Sequence, residues 1–164
     1  MPTKTRSFNT AIGFADEARE ALARLADARL ADTADLYSQL KQAHWNVKGK
    51  HFQPLHLLFD QVAEAAEPFI DELAERVTTL GGVAHGTVRM AAEASSLHEY
   101  PSDLVRGIDH LEAVRDRLAA YVRGNRDAIH RAEELGDPIT EDLLTEIGRV
   151  LELQLYFVES HLQE

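Results

Sequence analysis

The stretch His44–Arg76 reads HWNVKGKHFQPLHLLFDQVAEAAEPFIDELAER. From Leu55 its apolar residues fall at Leu58, Phe59, Val62, Ala66, Phe69, Ile70 and Leu73, then at Val77 and Leu80. That recurrence has a period near 3.6 and predicts one amphipathic helix from about Pro54 to Leu80. Proline suits the first turn of a helix, and Gly81–Gly82 stop it. Pro68 lies inside the pattern, where its missing N–H predicts a kink or one lost hydrogen bond.

Working outward, the same period recurs on both sides. A first helix is expected from Asp16 to Val47, with Leu22, Leu25, Ala26, Leu36, Leu40 and Ala43 on its apolar face and Gly49 ending it. A connection from Gly81 to Pro101 has room for a short helix over Val88–Ala94. A third long helix is expected from Ser102 to Leu135. Asp137–Pro138 is an N-cap followed by a first-turn proline, and it opens a fourth helix through Leu144, Ile147, Leu151, Leu155 and Val158. No stretch alternates as a strand would. The chain therefore reads as all-α: a four-helix bundle with a long crossover between the second and third helices. Residues 1–15 are expected to form a flexible N-terminal tail ahead of a single domain over 16–164.

Composition narrows the function. With 164 residues the chain is long enough for one sizeable core. It has 28 acidic against 17 basic side chains, a net charge of −11, so broad contact with a polyanion is disfavoured. It has no cysteine, which removes disulfides, thiolate ligands and iron–sulfur clusters. The first ten residues lack the apolar core of a signal peptide, and no uninterrupted apolar run of membrane-spanning length occurs. A cytoplasmic protein without a membrane partner is the expectation.

Chemistry concentrates in the opening stretch. His56 and Asp60 are four apart, as are Asp71 and Glu75, so each pair projects from one helix face. His44 closes the first helix. Imidazoles with carboxylates suit a redox metal such as iron. The two pairs are fifteen residues apart, roughly 22 Å along a helix, which no single metal centre spans. The residual rotation between them is only roughly 60°. If this helix packs antiparallel on its copy, crossing near Ala65 or Ala66, His56 and Asp60 of one chain meet Asp71 and Glu75 of the other. The bland alternative is a polar rim beside the core. A conventional intrabundle di-iron centre is disfavoured, because none of the eight histidines has Glu three positions before it.

The order HWNVKG, F-x-x-L-H-x-x-F-D, D-x-x-A-E-R, LGG resembles the Dps family, the DNA-protecting mini-ferritins of starved bacteria. The closing YFVESHLQE is similar to that family's last helix. The resemblance implies a ferritin-like bundle assembled as a hollow homo-dodecamer. It implies Fe(II) oxidised by hydrogen peroxide and stored as ferric oxyhydroxide, with His44, His56 and Asp60 from one subunit and Asp71 and Glu75 from its two-fold partner. It implies that Trp45 packs close to the centre.

Acidic pores at one three-fold axis of the family point to Asp137, Glu141, Asp142 and Glu146 as the iron-entry lining. Helix N-termini favour acids in any case. His51 reads as an outer group of the site or as solvated, and His161 as an accessory imidazole that would favour zinc as a competing occupant. DNA contact through Lys4 and Arg6 is weak for one chain but multiplies over twelve. Two other readings stand beside the ferroxidase: a nucleoid-associated structural protein that condenses DNA, and a zinc or manganese cage with little turnover.

Overall fold

The structure is a computed structural model and describes residues 6–163. Lys4, one of the two proposed DNA contacts, lies outside the described residues. Six helices follow in order: α1 (Asp16–Asn46), α2 (Phe52–Ala66), α3 (Pro68–Thr79), α4 (Val88–Ala94), α5 (Gly107–Glu134) and α6 (Pro138–Ser160). Among the described residues the only β pairing is an isolated bridge, Lys48 with Arg106.

α1 forms because an apolar or small residue returns every three or four positions: Leu22, Ala26, Leu30, Thr33, Leu36, Leu40 and Ala43 are all buried. Asp16 and Glu17 in its first turn favour the positive end of the helix dipole. Val47 turns to extended backbone and Gly49 takes φ +111°, a left-handed region that glycine enters without steric cost.

The second helix is interrupted where Pro68 predicted. Glu67 keeps helical dihedrals (φ −54°, ψ −46°), but Pro68 has no N–H to give, and Ile70 donates to the Glu67 carbonyl at 3.1 Å in a tighter turn. α2 and α3 are two halves of one rod with a missing rung.

α1 packs on α2 and α3, and α5 pairs with α6 to close the bundle. Phe59, Leu73, Leu118, Tyr121, Leu144, Ile147 and Leu151 fill the centre and are fully buried. Each such side chain contributes about 1.5–3 kcal/mol relative to exposure. Several polar groups within this core are paired, while Arg29 Nε, His110 Nε2 and Asn125 Oδ1 have no partner among the described residues. Tyr121 Oη lies 2.7 Å from Thr33 Oγ1, and the Arg29 guanidinium lies over the Tyr121 ring while bonding Asp32 at 2.7 Å. Asp32 also accepts from the Ser96 N–H and hydroxyl, which ties the crossover after α4 to α1.

Two expectations need correction. The third long helix begins at Gly107, not Ser102. The Lys48 N–H donates to the Val105 carbonyl at 3.1 Å, so this segment runs extended beside the α1–α2 loop, and Arg106 has φ −74°, ψ 143°. Nor is the segment before α1 wholly loose. The Phe8 N–H donates to the Gly81 carbonyl (2.8 Å), and Arg19 Nη1 donates to the carbonyls of both Phe8 (3.1 Å) and Leu80 (2.8 Å). Residues from Phe8 onward are thereby clasped to the end of α3.

Candidate metal centre

His44 and His56 meet where the end of α1 lies against the start of α2. His44 Nδ1 donates to the His56 carbonyl at 2.7 Å, and His56 Nδ1 donates to the His44 carbonyl at 2.8 Å. A carbonyl only accepts, so both rings carry a proton on Nδ1, which in a neutral imidazole leaves Nε2 as the nitrogen with the lone pair. The His44 carbonyl is free for this because its helical partner, the Lys48 N–H, is diverted to Val105. The two rings stack at 3.7 Å and 20°, and Phe52 stacks on His56 at 5.0 Å. Two imidazoles are thus fixed in the tautomer and orientation that metal coordination requires.

Asp60, one turn beyond His56, lies 3.9 Å from His44 Nδ1 through Oδ1. It is engaged in a short contact with the Lys41 ammonium. That hydrogen bond holds the Asp60 carboxyl below the usual carboxylate range and raises the Lys41 ammonium above its own. Lys41 was not foreseen from sequence. Its signal was available, because it lies three residues before His44 and so shares that helix face.

Asp71 and Glu75 are on the exposed face of α3. The Glu75 carbonyl accepts from the hydroxyls of Thr78 (3.0 Å) and Thr79 (2.7 Å), but its carboxylate is free of such bonds among the described residues. Among those residues, no three His, Asp or Glu side chains converge on a point within one chain. His44 lies against His56 and 3.9 Å from Asp60 without the three forming such a group, and Asp71 and Glu75 make no hydrogen bond or ion pair with them among the described residues. Ala66 faces the core and is fully buried, so of the two proposed crossing points only Ala65 retains exposure.

The remaining candidates divide. Trp45 is 61 % exposed rather than packed within the chain, and it borders a cleft shared with Tyr37 and Tyr100. Asp137 is corrected as a pore residue: it is buried and turned inward. It caps α6 by accepting from the Ile139 N–H at 3.1 Å, and it pairs with Arg76 Nη2 at 2.5 Å and with the Thr140 hydroxyl. Burial alone would push this carboxyl up, but the bonds from Thr140 and Arg76 outweigh it and hold it low. Asp142 and Glu146 are exposed and Glu141 is half-buried, so these three carboxylates remain presented along α6. His51 and His161 share the lining of a separate cavity, and His161 Nδ1 donates to the Phe157 carbonyl at 2.8 Å.

Comparison with known proteins identifies the family. The family model described as ferritin-like domain matches residues 23–164. A DNA protection during starvation protein of Agrobacterium fabrum is 39 % identical over 135 residues, 82 % of this chain and 83 % of that protein. The protein of that name from Halobacterium salinarum is 36 % identical over 153 residues, 92 % of this chain and 82 % of its own. Among solved structures, DpsA14 from Streptomyces coelicolor superposes with a TM-score of 0.92 at 34 % identity, covering 98 % of this chain and 95 % of that one. A Dps protein from Vibrio cholerae, titled a member of the ferritin-like diiron-carboxylate superfamily, superposes with a TM-score of 0.87 at 26 % identity, covering 94 % of this chain and 97 % of its own. By sequence and by fold, this chain belongs to the ferritin-like family and, within it, to the Dps proteins.

Proposed function

We propose that this protein oxidises Fe(II) at centres shared between two-fold-related copies and stores the Fe(III) product in a dodecameric cage. His44, His56 and Asp60 of one copy and Asp71 and Glu75 of the other are the ligands. The observation that carries this is the reciprocal His44–His56 clasp. It leaves both Nε2 atoms outside the clasp on rings close to Asp60, while Asp71 and Glu75 are exposed on α3 and, among the described residues, no three such side chains form a group within one chain. The diiron-carboxylate title of the Vibrio relative supports iron as the substrate.

Carboxylates are hard anionic ligands and favour Fe(III) over Fe(II), so binding here assists electron loss. Two Fe(II) give two electrons to one hydrogen peroxide. With two protons taken up, the O–O bond breaks and two waters form, so no one-electron product of peroxide is released. Protection of DNA in this reading is chemical, through removal of both reactants that make hydroxyl radical. The cytoplasm, where DNA and ferrous iron coexist, is the matching compartment. Zinc, which imidazole also suits, is the competing occupant. The acidic interior surface expected of such a cage concentrates cations.

Mixed assembly tests the shared site. One variant carries His56→Ala with Asp60→Ala, the other Asp71→Ala with Glu75→Ala. Each alone should lack rapid peroxide-driven oxidation in stopped flow. Random co-assembly should restore about a quarter of the centres, because half the pairs are mixed and each mixed pair has one intact site. No recovery in a verified mixed particle would refute sharing.

A further inference from the structure

A cavity of about 700 Å³ opens between the α1–α2 loop, the start of α5 and the C-terminal end of α6. Lys48, Lys50, His51, Arg106 and His161 line it, and among the described residues no acidic side chain does. In a chain with 28 acids and 17 bases, that segregation sets this concavity apart from the rest of the surface. The helix ends add to it. α2 and α5 both begin here, and neither has a side-chain cap. At the α5 start the Gly107 and Ile108 N–H groups have no acceptor among the described residues and place partial positive charge at the cavity wall, whereas Asp109 and His110 donate to the Arg106 carbonyl and, at the α2 start, Phe52 donates to the Gly49 carbonyl. Gly107 permits this convergence: a Cβ there would come within 2.5 Å of Leu55 Cδ1, so the absence of a side chain lets the start of α5 seat against α2.

We propose that this cavity binds a phosphate oxyanion, either free phosphate or a phosphodiester of nucleic acid. Lys50 and Arg106 supply charge-assisted hydrogen bonds, and the unsatisfied N–H groups at the α5 start supply the rest. Lys48 contributes field more than contact, since its ammonium lies over the Phe52 ring, 5.6 Å from the centroid. The charged group opposing the site is Asp109, which grips Arg106 through two bonds of 2.8 and 2.5 Å. Releasing that grip should free a guanidinium whose fork matches a phosphate.

The test titrates inorganic phosphate into the assembled, iron-free, full-length protein at low salt, followed by calorimetry. One saturable site per chain is expected. The double variant Lys50→Gln, Arg106→Gln removes two exposed charges and should weaken binding roughly ten-fold or more. Asp109→Asn should act in the opposite direction and tighten it several-fold. A short DNA duplex is the second probe. Displacement of phosphate by the duplex assigns the site to a phosphodiester; saturable phosphate binding that the duplex leaves untouched assigns it to free phosphate. The proposal is overturned if no saturable phosphate binding occurs, or if both variants bind phosphate as the parent does.

Discussion

His44 and His56 orient one another through main-chain carbonyls rather than through side chains, each Nδ1 donating to the other residue's backbone oxygen. Replacing one ring therefore leaves the acceptor of the other in place. His44→Ala and His56→Ala should each slow peroxide-driven iron oxidation about 10- to 100-fold while the helical circular dichroism is unchanged. If either single variant oxidises iron at the parent rate, that imidazole is not a ligand.

Lys41 pairs with the Asp60 carboxylate through Oδ1. An ammonium and a divalent ion compete for it, so Lys41→Met should tighten Fe(II) binding several-fold. Titration with Co(II), followed by its visible spectrum, measures this without turnover. Weaker binding in the variant would mean that Lys41 orders the site instead of opposing the metal.

The Arg76–Asp137 pair joins α3, which bears Glu75, to the cap of α6. Asn caps helices nearly as well as Asp, so Asp137→Asn isolates the loss of the ion pair. Leaving the Arg76 charge without its partner should cost roughly 3 kcal/mol of stability near neutral pH. Because the folded carboxyl is depressed, the parent's advantage is complete above the unfolded Asp value, about 3.9, and fades as pH falls through the lower folded one. Denaturant melts should show a larger gap at pH 7 than at pH 3.

His110 is buried with Nδ1 2.7 Å from Tyr100 Oη, and its Nε2 has no partner. Burial pushes this imidazole below its usual range and the Tyr100 phenol above its own. Both therefore stay neutral in the folded chain near neutral pH. The unfolded state takes up the imidazole proton first, so stability should fall as pH drops below about 6.5. His110→Gln should flatten that part of the melting-temperature profile between pH 7 and 5.

Local regularities carried most of the architecture. The apolar returns in α1 and α6, the Asp137–Pro138 start and the Pro68 interruption each depend on residues within a turn or two, and each is visible in the letters. The pairings His56 with Asp60 and Asp71 with Glu75 were legible for the same reason, since a spacing of four sets a common face. What depended on distant chain was not. Leu104 looks continuous with Ile108 by period, yet α5 starts later because Lys48, far off in sequence, claims the Val105 carbonyl. Asp137 reads as a helix-start acid open to solvent until Arg76, sixty-one positions earlier, draws it inward. Lys50, Arg106 and His161 share a cavity through contacts that no periodicity encodes.

The clasp of Phe8 onto Gly81 and Arg19 divides the leader into two parts with different duties. A deletion ending at Arg6 takes away the cationic side chains of the arm and spares the buckle that closes over the α3 terminus. A cut only two residues longer would also unpin that terminus, a few residues past Glu75, so two residues separate trimming the arm from loosening the end of α3.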